Sequence, residues 1–174
     1  MRYWTPQSII AVCLVCICAT FSLAYGRVLA QGVPKPILVT PLKLTDLPGR
    51  WVGIGKLEFR DGEIDHMKCR ITYQIRERVR LVQNIRCKSK KRRVEIKTTF
   101  VQQDGKITGA WRDRVYEVSG RIKGRLHGNQ IQAALSGIFF NAALNIMIIG
   151  REQTIEVTPR DSSFRVMRIS LARG

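Results

Sequence analysis

From Trp51 to the C-terminus, apolar and polar side chains alternate in short runs. Trp51, Gly53, Gly55, Leu57 and Phe59 fall on one side of a first extended segment, with Lys56 and Glu58 on the other. Asp61-Gly62 supplies a turn. Met67, Cys69, Ile71, Tyr73 and Ile75 then share a face, opposite Lys68, Arg70, Thr72, Gln74 and Arg76. The same texture predicts strands over Leu81–Cys87, Val94–Gln103, Lys106–Trp111, Val115–Leu126, Gln130–Phe140, Ala143–Ile149, Thr154–Thr158 and Phe164–Leu171. Turn signals at Asp104-Gly105, His127-Gly128-Asn129, Gly150-Arg151 and Arg160-Asp161-Ser162 separate several of them. No segment has a 3.6-residue period with caps. Ile138–Ile149, a near-continuous apolar run, is the one place where a helical turn could hide. Strands of this length joined by short turns predict an antiparallel meander, which needs closure to remove its adhesive edges. The expected fold is all-β: a single up-and-down barrel of about 8–10 strands occupying residues 49–174.

The pairing of two strands can be tested on the sequence. A hairpin centred on Arg78 sets Ile75 against Leu81, Ile71 against Ile85, and Cys69 against Cys87. A one-residue slip would destroy every apolar match. This register predicts a cross-strand disulfide between Cys69 and Cys87. A redox role is disfavoured, because the pair lacks C-x-x-C spacing. On the outer face the same register opposes Lys68 to Lys88 and Arg70 to Arg86, like charges that repel. The next hairpin, centred between Lys90 and Lys91, opposes Cys87 to Val94, Ile85 to Ile96 and Arg86 to Glu95. CKSKKRRVEIK (Cys87–Lys97) is therefore a strand end, a cationic turn and a strand beginning. It reads either as a solvated hairpin tip with gatekeeping charges or as part of an anion-binding patch of Lys68, Arg70, Arg86, Lys88, Lys90, Lys91, Arg92 and Arg93.

Residues 1–30 have a different character. Arg2, an apolar run from Ser8 to Ala24 and the small-residue sites Ser22-Leu-Ala24 and Val28-Leu-Ala30 match a cleaved signal peptide. The rival is a retained membrane anchor, since the run approaches the roughly 18 residues of a spanning helix. Either Ala24 or Ala30 could mark the cut. Cleavage after Ala30 leaves 144 of the 174 residues, removes Cys13, Cys16 and Cys18, and leaves Cys69 and Cys87 as the whole cysteine complement. That count in a periplasmic or secreted chain favours a disulfide. Residues 31–48, with Pro34, Pro36, Pro41 and Pro48, predict an extended arm or linker outside the sheet.

The full chain carries 30 Lys and Arg against 13 Asp and Glu, a formal charge of +17; losing Arg2 and Arg27 with the leader reduces it to +15. A field of that size concerns partners and solubility, not fold. It favours an anionic envelope polymer, lipid headgroups or an acidic protein. Specific nucleic-acid binding is not expected. Between Lys68 and Lys97 the one aromatic side chain is Tyr73, whose register points it inward, whereas single-strand binders line basic grooves with aromatic platforms.

Catalytic chemistry is thin on the chain. His66 and His127 are its two histidines, and neither has neighbours at zinc spacing. Asp61-Gly62-Glu63-Ile64-Asp65 alternates carboxylates without the pattern of an EF-hand loop. No P-loop, G-x-S-x-G or H-E-x-x-H occurs. No catalytic residue, metal site or cofactor is expected, and the chain is not expected to be an enzyme.

Pro48-Gly49-Arg50-Trp51, ahead of the first strand, resembles the G-x-W opening of lipocalins and their calycin relatives. That resemblance implies a barrel closed at one end by Trp51, stacked with an Arg of the last strand, here Arg165 or Arg168. The chain lacks the further loops of true lipocalins. Its W-x-G-x-G, its C-R-x-x-Y strand, its second Cys and Gly109-Ala-Trp111 look more like uncharacterised exported β-barrel proteins of Gram-negative bacteria. This likeness implies a compartment and a fold, not an activity. A more distant one is to small periplasmic β-barrel inhibitors of enzymes. Two functions are expected from all this: a monomeric binding protein using its basic surface or, as the alternative, a carrier of a small apolar or amphipathic ligand inside the barrel. Gly53, Gly55, Gly120, Gly124 and Gly137 fit the carrier if they admit a ligand, and fit either reading if they only let the sheet curl. A hollow or a filled interior separates the two.

Overall fold

The structure is a computed structural model that describes residues 42–77 and 80–174. Residues 1–30, where a leader is expected, the expected arm up to Pro41 and the hairpin residues Arg78 and Val79 lie outside the described residues. Ten strands follow a short 3-10 turn (Leu44–Asp46): β1 (Gly49–Phe59), β2 (Ile64–Arg76), β3 (Arg80–Lys88), β4 (Arg93–Gln103), β5 (Lys106–Asp113), β6 (Ser119–His127), β7 (Gln130–Gly137), β8 (Asn141–Ile149), β9 (Glu152–Pro159) and β10 (Phe164–Arg173). Each strand pairs antiparallel with the next, and β10 pairs with β1, so the sheet closes with no free edge.

Both hairpin registers deduced from the sequence are present. Cys69 faces Cys87 and is disulfide-bonded to it, with Ile71 opposite Ile85 and Ile75 opposite Leu81. Cys87 faces Val94, Ile85 faces Ile96 and Arg86 faces Glu95. Gly55 makes room for the staple, because a Cβ there would stand 2.8 Å from the Cys69 sulfur.

Two strands are shorter than the pattern suggests. The segment expected to pair from Val115 begins at Ser119, because the Asp113 carboxylate accepts the backbone N–H groups of Val115 (2.7 Å) and Tyr116 (3.2 Å) and curls the chain into a turn. The strand expected to reach Phe140 ends at Gly137, and the apolar run after it is a turn followed by β8 rather than a helix.

The interior differs between the two ends. At the end where β1 starts, Trp51, Ile71, Tyr73 and Leu171 are buried. Leu42–Pro48, the described end of the proline-rich arm, lies outside the sheet and folds over this end. Leu44 and Leu47 are buried there, and Leu42 N–H donates to the Gly128 carbonyl at 3.0 Å. The Trp51 indole N–H donates to the Leu47 carbonyl at 3.1 Å, and its ring meets Tyr73 edge-on at 6.5 Å. The outward rungs of β2, β5 and β6 carry charge, the reverse of the apolar outer band of a membrane-spanning barrel. Among the described residues, no helix is long and apolar enough to cross a membrane.

Candidate functional site

The barrel is stoppered at the Trp51 end and hollow at the other. A cavity of about 400 Å³ occupies the upper half and reaches the β3–β4, β5–β6, β7–β8 and β9–β10 loops, where Arg92, Tyr116, Phe139 and Ser162 line it. Its wall is chiefly aliphatic, drawn from every side of the barrel: Leu57, Ile85, Ile122, Leu144, Ile155 and Met167. These are the inward rungs that the alternation assigned to a core, but their combined volume does not fill the cross-section. A cavity of this size, apolar with a few fixed polar groups, has the character of small-molecule sites.

Those polar groups are specific. At its floor lies a buried hydrogen-bonded set in which the Tyr73 hydroxyl accepts from the side-chain amides of Gln83 and Gln153, each at 2.7 Å. Burial pushes the Tyr73 hydroxyl pKa upward, so the group stays neutral. Gln83 and Thr98 line the cavity, and the Gln153 carbonyl oxygen is buried without a partner. Higher up, Trp111 meets Phe140 edge-on at 5.5 Å, and Phe140 stacks on Phe164 at 6.1 Å. Trp111, Gly120 and Gly137 form one lateral row across β5, β6 and β7. The glycines seat the indole: a Cβ at Gly120 would stand 2.7 Å from its nitrogen, and one at Gly137 3.1 Å from its ring. In that seat the Trp111 indole N–H is buried and has no hydrogen-bond partner. A buried unpaired donor costs roughly 1–3 kcal/mol; here the nitrogen is packed against Gly120 on the neighbouring strand.

The cationic patch is divided by the fold. Lys68, Arg70, Arg86 and Lys88 stand exposed on the outer rungs of β2 and β3, with Lys68 opposite Lys88 and Arg70 opposite Arg86. Lys90 is exposed at the turn. Lys91, Arg92 and Arg93 are engaged elsewhere. Lys91 pairs with Glu63 at 2.7 Å; Arg92 pairs with Glu63 at 2.8 Å and Asp65 at 3.3 Å; Arg93 reaches Glu95 at 3.6 Å. Arg92 also lies over the Phe59 ring at 4.2 Å. These contacts, Arg92 foremost, pull the Glu63 carboxyl down to about 2. The alternating carboxylates after Asp61 are thus the counterions of the cationic turn. The sequence hid this partnership because the two hairpins meet only when the barrel closes their end.

The stacking partner of Trp51 is Arg173, not Arg165 or Arg168. Arg173 is the rung directly opposite Trp51, its guanidinium sits 5.4 Å from the ring, and it donates to the Asp46 carbonyl at 3.0 Å. Arg168 lies opposite Lys56, well up the barrel, and Arg165 sits at the irregularity near Phe59. Both face outward and hold Glu58, which also pairs with Lys56 at 3.1 Å; these contacts, Lys56 foremost, lower its pKa. His66 and His127 are exposed, and among the described residues no cluster of three or more His, Cys, Asp or Glu could hold a metal.

A second cationic face runs along β5 and β6. The outward rungs of β5 and β6 are Lys106, Arg112, Arg121, Lys123 and Arg125 among Thr108, Ala110 and Ser119, with no acid, and Lys106 stands opposite Arg125. The signal was present as a two-residue repeat in Arg121, Lys123 and Arg125, but its partner strand had to be known to see a two-strand face.

No protein-family model matches the sequence, and no curated protein matches it. Solved structures do share the fold. Rv2717c from M. tuberculosis aligns with a TM-score of 0.63 at 12% identity, over 75% of this chain and 94% of that one. A DUF3598-family protein of unknown function from Nostoc punctiforme aligns with a TM-score of 0.59 at 15% identity, over 81% of this chain and 53% of that one. This chain therefore spans about half the length of the Nostoc protein. A redesigned β-barrel, mFAP1, solved bound to DFHBI, aligns with a TM-score of 0.46 at 13% identity, over 75% and 97% of the two chains. At these identities the likeness is one of fold. The chain is a closed ten-stranded antiparallel β-barrel, two strands more than a lipocalin, and its hollow end is compatible with a non-catalytic binding role.

Proposed function

We propose that the protein is a non-catalytic carrier, acting outside the cytoplasm, that holds a small and largely apolar molecule in the upper half of its barrel. The observation that carries this reading is the cavity of about 400 Å³ with its chiefly aliphatic wall. Burying the ligand's apolar surface supplies the affinity, at roughly 25 cal/mol per Å² removed from water. The Cys69–Cys87 staple and the N-terminal leader pattern support an oxidising compartment.

Native mass spectrometry of the gently purified chain tests the proposal. The wild type is expected to retain a small molecule, or to take up an apolar dye once emptied. Val157→Trp, which fills the cavity from β9, is expected to do neither. A wild type that arrives empty and leaves the dye unbound, as Val157→Trp does, would overturn it. A second reading, a surface that grips anionic material, draws on the acid-free cationic rungs of β5 and β6 together with those of β2 and β3. It is compatible with the first, because the two use opposite sides of the sheet.

A further inference from the structure

The loops that surround the cavity mouth carry apolar side chains the barrel does not bury. Ile138 is 88% exposed, Phe139 84% and Tyr116 68%. They lie on the β5–β6 and β7–β8 tips, two loops at the same end of four consecutive strands. Single exposed apolar residues are ordinary, but three at the rim of one cavity form a patch of the kind that marks an interaction site.

Charge is arranged around this patch in a definite way. On the β1–β2 and β3–β4 side, the rim cations Lys91 and Arg92 are neutralised by Glu63 and Asp65, which leaves Lys90 as the exposed, unpaired cation of that turn among the described residues. On the β5–β6 side, none of Arg112, Arg114, Arg121 or Lys123 has an ion pair among the described residues, and the one exposed acid of that loop, Glu117, has none either, leaving four cations to one acid. Arg112 is the last outward rung of β5 before the loop that bears Tyr116, and Arg121 stands opposite Ser136, near the end of β7 that leads to Ile138. Lys123 is one outward rung further down, about 7 Å from Arg121 at the usual strand rise. The polar layer of a bilayer leaflet is itself roughly 5–7 Å deep, and electrostatic attraction reaches about 8–10 Å beyond it at physiological salt.

We propose that the cavity end of the barrel docks on an anionic lipid bilayer. Ile138, Phe139 and Tyr116 enter the boundary between headgroups and acyl chains, and Arg112, Arg114, Arg121 and Lys123 meet lipid phosphates. A soluble anionic polymer would use the cations and leave the apolar tips wet. An acidic protein would not account for apolar groups set ahead of the cations at one end. A bilayer uses both in that order. This deepens the carrier reading and rests on it for its purpose, since the docked mouth would open directly into the apolar layer from which a ligand is drawn.

The test uses the full chain with Ile138→Trp and vesicles of phosphatidylcholine, with or without a third of phosphatidylglycerol, whose acyl chains are brominated. The apolar N-terminal segment is common to every variant, so only fluorescence above that of the wild type is read. That added signal is expected to be quenched by the anionic vesicles, to be far weaker with neutral ones, and to fall as salt is raised. Arg121→Glu with Lys123→Glu is expected to weaken it at least about tenfold. An indole at 138 that stays unquenched with anionic vesicles, or is quenched equally by neutral ones, overturns the docking. Dye uptake in solution separates the two proposals. If the charge-reversed variant still takes up the dye while vesicle quenching is lost, the cavity and docking functions both stand and are separable. If no variant takes up the dye but quenching persists, the carrier reading fails alone.

Discussion

Opening the Cys69–Cys87 bridge tests the register of the β2–β3 hairpin. The bridge closes a loop of 18 residues between neighbouring strands. In the chain-entropy model a loop of that length restricts the unfolded chain by about 3 kcal/mol at 25 °C. It also holds together two rungs that repel, Lys68 with Lys88 and Arg70 with Arg86, at roughly 0.2–1 kcal/mol each. Reduction, or Cys69→Ala with Cys87→Ala, should therefore lower the unfolding free energy by about 3 kcal/mol. For a barrel of this size that corresponds to roughly 10–15 °C in Tm. Urea unfolding followed by tryptophan fluorescence measures the change, since Trp51 and Trp111 are both buried in the barrel. The opened form should also regain part of its loss in high salt, because the two repelling rungs are exposed and screen readily. A loss below about 1 kcal/mol would show that the pairing is held without the bridge, and the chain-entropy reasoning would be wrong for this protein.

Three further outcomes follow from the geometry. Val157→Phe should change stability by less than about 1 kcal/mol, because the ring enters an open cavity; a filled core would lose roughly 1–3 kcal/mol to overpacking, and thermal unfolding distinguishes the two. Arg173→Ala should cost about 2 kcal/mol by chemical denaturation, through the lost stacking on Trp51 and the bonds to the arm. Arg165→Ala should have a smaller effect, since Lys56 and Arg168 still hold Glu58. The third concerns pH. Glu63 has a folded pKa of about 2 against an ordinary 4.5, so its clasp on Arg92 and Lys91 contributes fully above pH 4.5 and fades as pH falls toward 2. A carboxyl NMR titration of Glu63 with its midpoint near 4.5 would contradict that pairing.

Most of the fold was legible because alternation with a period of two is a local property. Ile71, Cys69 and Tyr73 declare their face without reference to any distant residue, and the match of Cys69 with Cys87 and Ile71 with Ile85 fixes a register across one tight hairpin. The site was less legible. Arg173 was passed over for Arg165 and Arg168 because the rung opposite Trp51 depends on how β10 closes onto β1, a pairing between the two ends of the described chain. The neutralisation of Lys91 and Arg92 was missed for a similar reason, since Glu63 and Asp65 belong to a different hairpin.

The sequence by itself determined an all-β chain, the inward and outward faces of its strands, the disulfide register and the strong positive charge. Only the tertiary structure decided that the barrel is stoppered at one end and hollow at the other, that Trp111 sits on a row of glycines with its N–H unpaired, and which cations are free. The physical reason is that a strand's polarity pattern is written along the chain. Empty volume and ion pairing are sums over side chains from strands far apart in sequence, and they exist only once the sheet has closed.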